Sequence, residues 1–254
     1  MTSRSVKLLG VAAMTATAMM ASPTTTTLTW VGVGSDPTYS NEYVGPYYVD
    51  VGSSTKPTAV TCDDFNDEVN QNTNQGVTYN VLTDPVSTSL QNTLGYAYYS
   101  SQKDNNAAPS SSQLFTIVTD YEEIAWLTLQ FANPNVTANS QDWGAIQTAI
   151  WSFFGTGVPV EVNSKDPNGT TANDYTSTQY WINQAASNFG SIEQSGITVY
   201  TPAPPNGTSN QYFDSQEFVT YAHAPEPATY AIFGSGLILL FLGKFRRGRN
   251  KSSE

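Results

Sequence analysis

Cysteine and histidine are almost missing from this chain: each occurs once in 254 residues. The lone cysteine, Cys62, rules out a disulfide within the chain. The lone histidine, His223, stands near the C-terminal end, so the main body has no imidazole. Ser-His-Asp and Cys-His catalysis therefore have no support there, nor do His-based zinc sites. Positive charge is scarce too. Between residues 22 and 222 the only bases are Lys56, Lys103 and Lys165, and the whole chain carries a net charge of −11. Such a field repels phosphate backbones, which argues against nucleic-acid binding. Charged residues make up only 12% of the chain. Amides and hydroxyls must do most of the solvation, as suits a secreted or surface protein.

What is present is enough for a core, with 39% hydrophobic residues of which many are aromatic. The two ends differ from the middle. At the N-terminus, Arg4 and Lys7 precede the apolar stretch 8–20, and Ala16-Thr17-Ala18 and Ala21 offer small-residue cleavage sites. Residues 1–21 thus read as a secretory signal peptide. At the C-terminus, Pro225, Glu226 and Pro227 come first. An uncharged apolar segment follows from Ala228, and then a basic cluster that includes Lys244, Arg246, Arg247, Arg249 and Lys251. The apolar segment is just long enough to cross a bilayer, and the bases would hold its end in the cytoplasm.

This order of features in residues 225–254 resembles the PEP-CTERM sorting signal, with Pro225, Glu226, Pro227, Arg246 and Arg247 as its sorting residues. The resemblance implies an exported protein of a Gram-negative, exopolysaccharide-producing bacterium. It implies exosortase as a partner and a C-terminal transmembrane helix. It also implies a periplasmic intermediate anchored in the inner membrane, followed by delivery to the cell surface or extracellular matrix.

Residues 22–222 then form one extracytoplasmic domain. Strand-like segments are predicted at 43–51, broken by a turn at Gly45-Pro46, at 59–65 around Cys62, and at 76–82. Residues 100–112 read as a polar loop. Helices are predicted from Asp120, with Glu123 completing a capping box, from about Asp142 to Phe154 with Ser140 as cap, and over 178–186. Strands return at 196–200 and 216–221. Strands, then helices over about 120–190, then strands again indicate an α+β fold with mainly antiparallel strands.

One helix carries the chemistry. At about 100° per residue, Trp143, Ile146, Ile150 and Phe154 share a narrow apolar face, and Gln147 lies within it beside Trp151. An amide buried there costs about 1–3 kcal/mol unless its hydrogen bonds are met. Gln147 should therefore have a specific partner. Residues 146–151 (IQTAIW) resemble the TQxA motif of thioester domains from surface adhesins of Gram-positive bacteria. The Gly45-Pro46-Tyr47 and Asp63-Asp64-Phe65 segments fit the same picture. The match departs at Ile146, where threonine is usual, and at Thr61, where an aromatic often precedes the cysteine.

The resemblance implies an internal thioester between Cys62 and Gln147, formed with loss of ammonia. Trp143, Ile150 and Trp151 would wall the pocket. The bond would be a stored electrophile for a surface amine or hydroxyl. It would be used once, so the chain is expected not to be a turnover enzyme, and no cofactor or metal is implied. The alternative is a non-covalent structural or glycan-binding protein of the exopolysaccharide or biofilm matrix. Ice binding, suggested only by the run Thr24 to Thr27, is weaker. A hydrolase would need paired carboxylates, and none stands out in the sequence. Asp63, Asp64, Asp67 and Glu68 read as a solvated acidic turn rather than a calcium loop, because the glycine of such loops is missing.

Overall fold

The computed structural model describes residues 24–33, 38–39, 42–66, 77–85, 90–102, 107–158, 169–171, 173–203 and 216–222. The expected signal peptide and the sorting residues Pro225, Glu226, Pro227, Arg246 and Arg247 lie outside them. Among the described residues, no helix is long and apolar enough to cross a membrane.

Eight strands are described: β1 (Thr24–Val33), β2 (Thr38–Tyr39), β3 (Glu42–Tyr43), β4 (Tyr47–Val51), β5 (Thr58–Cys62), β6 (Val77–Thr83), β7 (Ile197–Pro202) and β8 (Phe218–Tyr221). Six of them close into a barrel in the order β1-β4-β5-β8-β7-β6, and β2 and β3 pair separately. Every pairing is antiparallel. Four helices lie between β6 and β7: α1 (Leu94–Ser101), α2 (Ser111–Gln130), α3 (Asp142–Trp151) and α4 (Thr178–Asn188). The α+β expectation agrees with this architecture. Closure of the sheet removes the unpaired edges that an open sheet would present.

Side-chain alternation divides the interior in two. Leu28, Tyr47, Val49, Val60, Cys62, Tyr79, Tyr200 and Phe218 fill the barrel. The Phe218 ring meets those of Tyr47 and Tyr79 at 5.9 and 6.0 Å. Neighbouring residues on the same strands, Ile197, Val199 and Val219, face the other way and join the helices in a second core. The end of β5 thus lies on a boundary, with the barrel on one side and the helical layer on the other.

Several boundaries differ from the sequence reading. The predicted start of the second helix at Asp120 is wrong by ten residues. The helix begins at Ser111, where Gln113 Oε1 accepts from the Ser110 N–H at 3.0 Å and its hydroxyl at 2.9 Å. Asp120 is mid-helix and accepts the Tyr99 hydroxyl at 3.0 Å. A long helix with two polar, cap-like triplets looks the same from either one. For α3 the capping side chain is Asn139 rather than Ser140: its Oδ1 accepts the N–H groups of Gln141 and Asp142, both at 2.8 Å. β1, β2 and α1 were not anticipated. β1 opens on four threonines, which hide the strand from a hydrophobic reading, and its pairing with both β4 and β6 holds it. α1 lies in a stretch given no element by the sequence, meets the expected polar loop only at Ser100 and Ser101, and is held by contacts from distant residues.

Candidate functional site

Cys62 is the last residue of β5, and its register partner on β8 is Phe218. Both point into the barrel. Gln147 sits in the middle of α3, every residue of which is buried. The helix therefore has no solvent face, and the expected one-sided wheel understates its burial. Cys62 and Gln147 both have no exposed surface.

The two residues meet. Gln147 Nε2 donates to the Cys62 carbonyl oxygen at 2.6 Å, across 85 residues of sequence. Gln147 Oε1 is buried with no hydrogen-bond donor. The Cys62 thiol donates to the Asp64 carbonyl at 3.0 Å. Burial pushes the Cys62 thiol well above its ordinary pKa, and the nearby Asp64 and Asp63 charges add to this. The sulfur is therefore a neutral thiol at rest. The Gln147 amide thus meets Cys62 through its backbone oxygen, with the amide's own oxygen left without a donor.

The expected wall residues are placed unequally. Trp151, one turn after Gln147, has its indole beside the sulfur, where it lowers the thiol pKa in small measure. Its other face meets Phe65 at 5.1 Å between ring centroids. Trp143 packs edge-on against Phe131 at 5.5 Å and lies over Gly45. Gly45 has φ +113, and a Cβ there would collide with the indole. Ile150 is fully buried in the helical core rather than in the barrel.

The chain segment over the site is pinned from outside. Asn66 Nδ2 donates to the Thr156 carbonyl at 3.1 Å, and the Thr156 N–H returns to Asn66 Oδ1 at 2.9 Å. This reciprocal pair ties the segment after Cys62 to the turn after α3.

The acidic stretch is not the solvated turn that the sequence suggested. Asp63 is 0% exposed and Asp64 5% exposed, while Asp67 and Glu68 lie outside the described residues. Among the described residues no group of acidic, histidine or cysteine side chains is arranged to hold a metal. Asp63 has a partner that sequence reasoning missed. Glu217, just before β8, is 1% exposed. The Asp63 N–H donates to the Glu217 backbone carbonyl at 3.4 Å. Glu217 also accepts from the Tyr121 hydroxyl at 2.6 Å, the Leu94 N–H at 2.9 Å and the Thr201 hydroxyl. Both Asp63 side-chain oxygens are buried without a hydrogen-bond partner. Burial, then the Glu217 charge, pushes Asp63 well above the carboxylate range. Glu217 is raised by burial too, but its donors oppose the shift. A glutamate 154 positions away leaves no local signal in the sequence.

No family model and no curated protein matches the chain. Among solved structures it is similar to the N-terminal thioester domain of a protein F2-like fibronectin-binding protein from Streptococcus pneumoniae. The identity is 12% and the TM-score 0.41, over 78% of this chain and 93% of that one. A likeness that distant assigns neither residues nor chemistry.

Proposed function

We propose that this chain is an exported covalent adhesin domain whose reactive group is an internal thioester between Cys62 and Gln147. One observation carries the reading: the buried Gln147 amide hydrogen-bonds to the backbone of Cys62 itself while its carbonyl oxygen has no donor. A structural glutamine would be expected to satisfy both ends of its amide. Here the carbonyl end, whose carbon a thiol would attack, is the unsatisfied one. Closure joins Cys62 Sγ to Gln147 Cδ and releases ammonia. A surface amine or hydroxyl then attacks Cδ, frees the Cys62 thiol and stays attached. The bond is consumed once, so the domain tethers rather than turns over. Its target is a nucleophile on a surface or in the exopolysaccharide matrix. Signal peptide, exosortase and PEP-CTERM tail would deliver the domain there through an inner-membrane intermediate.

Mass spectrometry of the purified, undenatured protein tests this. Mature protein should be lighter than its sequence by one ammonia, and its thiol should resist alkylation. Methylamine should add at Gln147 and expose that thiol in the same step. Cys62→Ala should abolish both the deficit and the addition. Full sequence mass with a freely alkylated Cys62 would leave the non-covalent matrix reading in its place.

A further inference from the structure

We propose that the strap from Asp63 to Asn66 is a latch that reads the state of the sulfur: it is held down when Cys62 is a thiol and released when Cys62 is joined to Gln147. This adds regulation to the thioester site and rests on that reading.

The strap has two anchors of different kinds. The inner one is the thiol itself, whose S–H donates to the Asp64 carbonyl at 3.0 Å in the buried site. The outer one is the reciprocal pair between the Asn66 side chain and the Thr156 backbone, at 3.1 and 2.9 Å, and it is exposed. One residue links the two. The Asp64 carbonyl takes the thiol proton, while the Asp64 side chain accepts the Asn66 N–H at 3.0 Å. Between the anchors, the half-buried Phe65 ring lies 5.1 Å from that of Trp151. Gly155 sits so close to the strap that a Cβ there would come within 3.1 Å of the Phe65 Cβ. The strap thus rests on Trp151, one turn after Gln147, and on the turn after α3.

The chemistry acts on the inner anchor alone. As Sγ bonds to Gln147 Cδ, the Cδ–N bond breaks, and the thiol proton leaves with the nitrogen as part of ammonia. A thioester sulfur carries no hydrogen. The bond to the Asp64 carbonyl is then gone, and two atoms bearing lone pairs face each other where a donor met an acceptor. The Asn66–Thr156 pair is left as the outer hold, and exposed hydrogen bonds of this kind belong to the least stable parts of a fold. The thioester form therefore presents a looser strap to an incoming nucleophile. Attack at Cδ frees the sulfur and returns a proton to it. The inner anchor re-forms, and the strap closes over the spent site.

The test compares two states of the whole mature protein by hydrogen–deuterium exchange. One is the thioester, identified by its missing ammonia. In the other, ammonia adds at Cδ, the Cδ–Sγ bond breaks and an ammonia proton passes to the sulfur, which restores Gln147 and the thiol. The Asn66 and Thr156 N–H groups both donate within the strap and its clasp, so their exchange reports the latch. Both should exchange about 5- to 10-fold faster in the thioester, as loss of one hydrogen bond implies. Equal exchange at these two positions would overturn the latch and leave the thioester standing. A protein that never loses ammonia would overturn both.

Two variants separate the anchor from the covalent bond. Cys62→Ser keeps a hydroxyl that can donate to the Asp64 carbonyl, and Cys62→Ala has no donor. C62A should show the fast exchange of the thioester, and C62S the slow exchange of the thiol. Equal exchange in the two would overturn the latch. If either variant does not fold, the wild-type comparison decides.

Discussion

At the scale of residues, the site is defined by what buried groups lack. Gln147 was legible because an amide amid Trp143, Ile146 and Ile150 needs a partner, and the structure supplies one in the Cys62 carbonyl. Glu217 was not legible. Its role comes from four partners spread over residues 63 to 201. Asp63 was misread as solvated because a run of acids usually is. Asn66 makes a residue-scale prediction. Its paired hydrogen bonds to Thr156 hold the chain that covers Cys62. Asn66→Ala should cost only about 1–2 kcal/mol, since the site is exposed. It should nonetheless raise the rate of methylamine addition at Gln147, measured by mass over time. An unchanged rate with lower stability would mean that partners enter from another side.

At the scale of elements, local chemistry and tertiary support divide the work. α2 begins at a true capping box, and Gln113→Ala should lower stability by about 1 kcal/mol in a denaturant titration. α3 depends on the turn before β4. Gly45 has positive φ and lies beneath the Trp143 indole, so Gly45→Ala faces both strain and overlap. The expected loss is about 2–4 kcal/mol, again by denaturant titration. If Trp143 moves to relieve the overlap, the fluorescence of the folded protein should change with it. β1 and α1 escaped the sequence for opposite reasons. β1 opens on four threonines, so its inward residues Leu28 and Trp30 set no long apolar rhythm. α1 has aromatic bulk, but a Thr93 cap and a Glu217 carboxylate are what fix its first turn.

At the scale of the whole molecule, acidity and burial act together. Burial lifts Asp120 to about 6 and Glu123 to about 7. A carboxyl raised in the fold favours the folded state while it is protonated. That contribution is complete below the ordinary values of 3.8 and 4.5, and it fades as pH rises through about 6 and about 7. The raised Asp63 and Glu217 add the same sign. No histidine lies among the described residues to oppose them. The melting temperature should therefore fall as pH rises across that window, and Asp120→Asn should flatten the decline. A stability that climbs through neutral pH would contradict this account. The two ends give the last prediction. Removal of residues 225–254 should abolish surface delivery on cell fractionation while leaving the domain folded.

The sequence by itself determined that the chain works without imidazole or disulfide chemistry, that it is acidic, and that strands flank a helical region. It also singled out Cys62 and Gln147, because a lone thiol and an amide in an apolar run are local anomalies. The tertiary structure alone decided that the sheet closes into a barrel, since closure depends on β1 bridging β4 and β6 across fifty residues. It alone joined Asp63 to Glu217 as well. Pairing at the end of β5 and β8 sets those side chains on the helical side while Cys62 and Phe218 turn inward. Whether a carboxyl is solvated or buried depends on what lies across a strand from it, and no local pattern of residues carries that information.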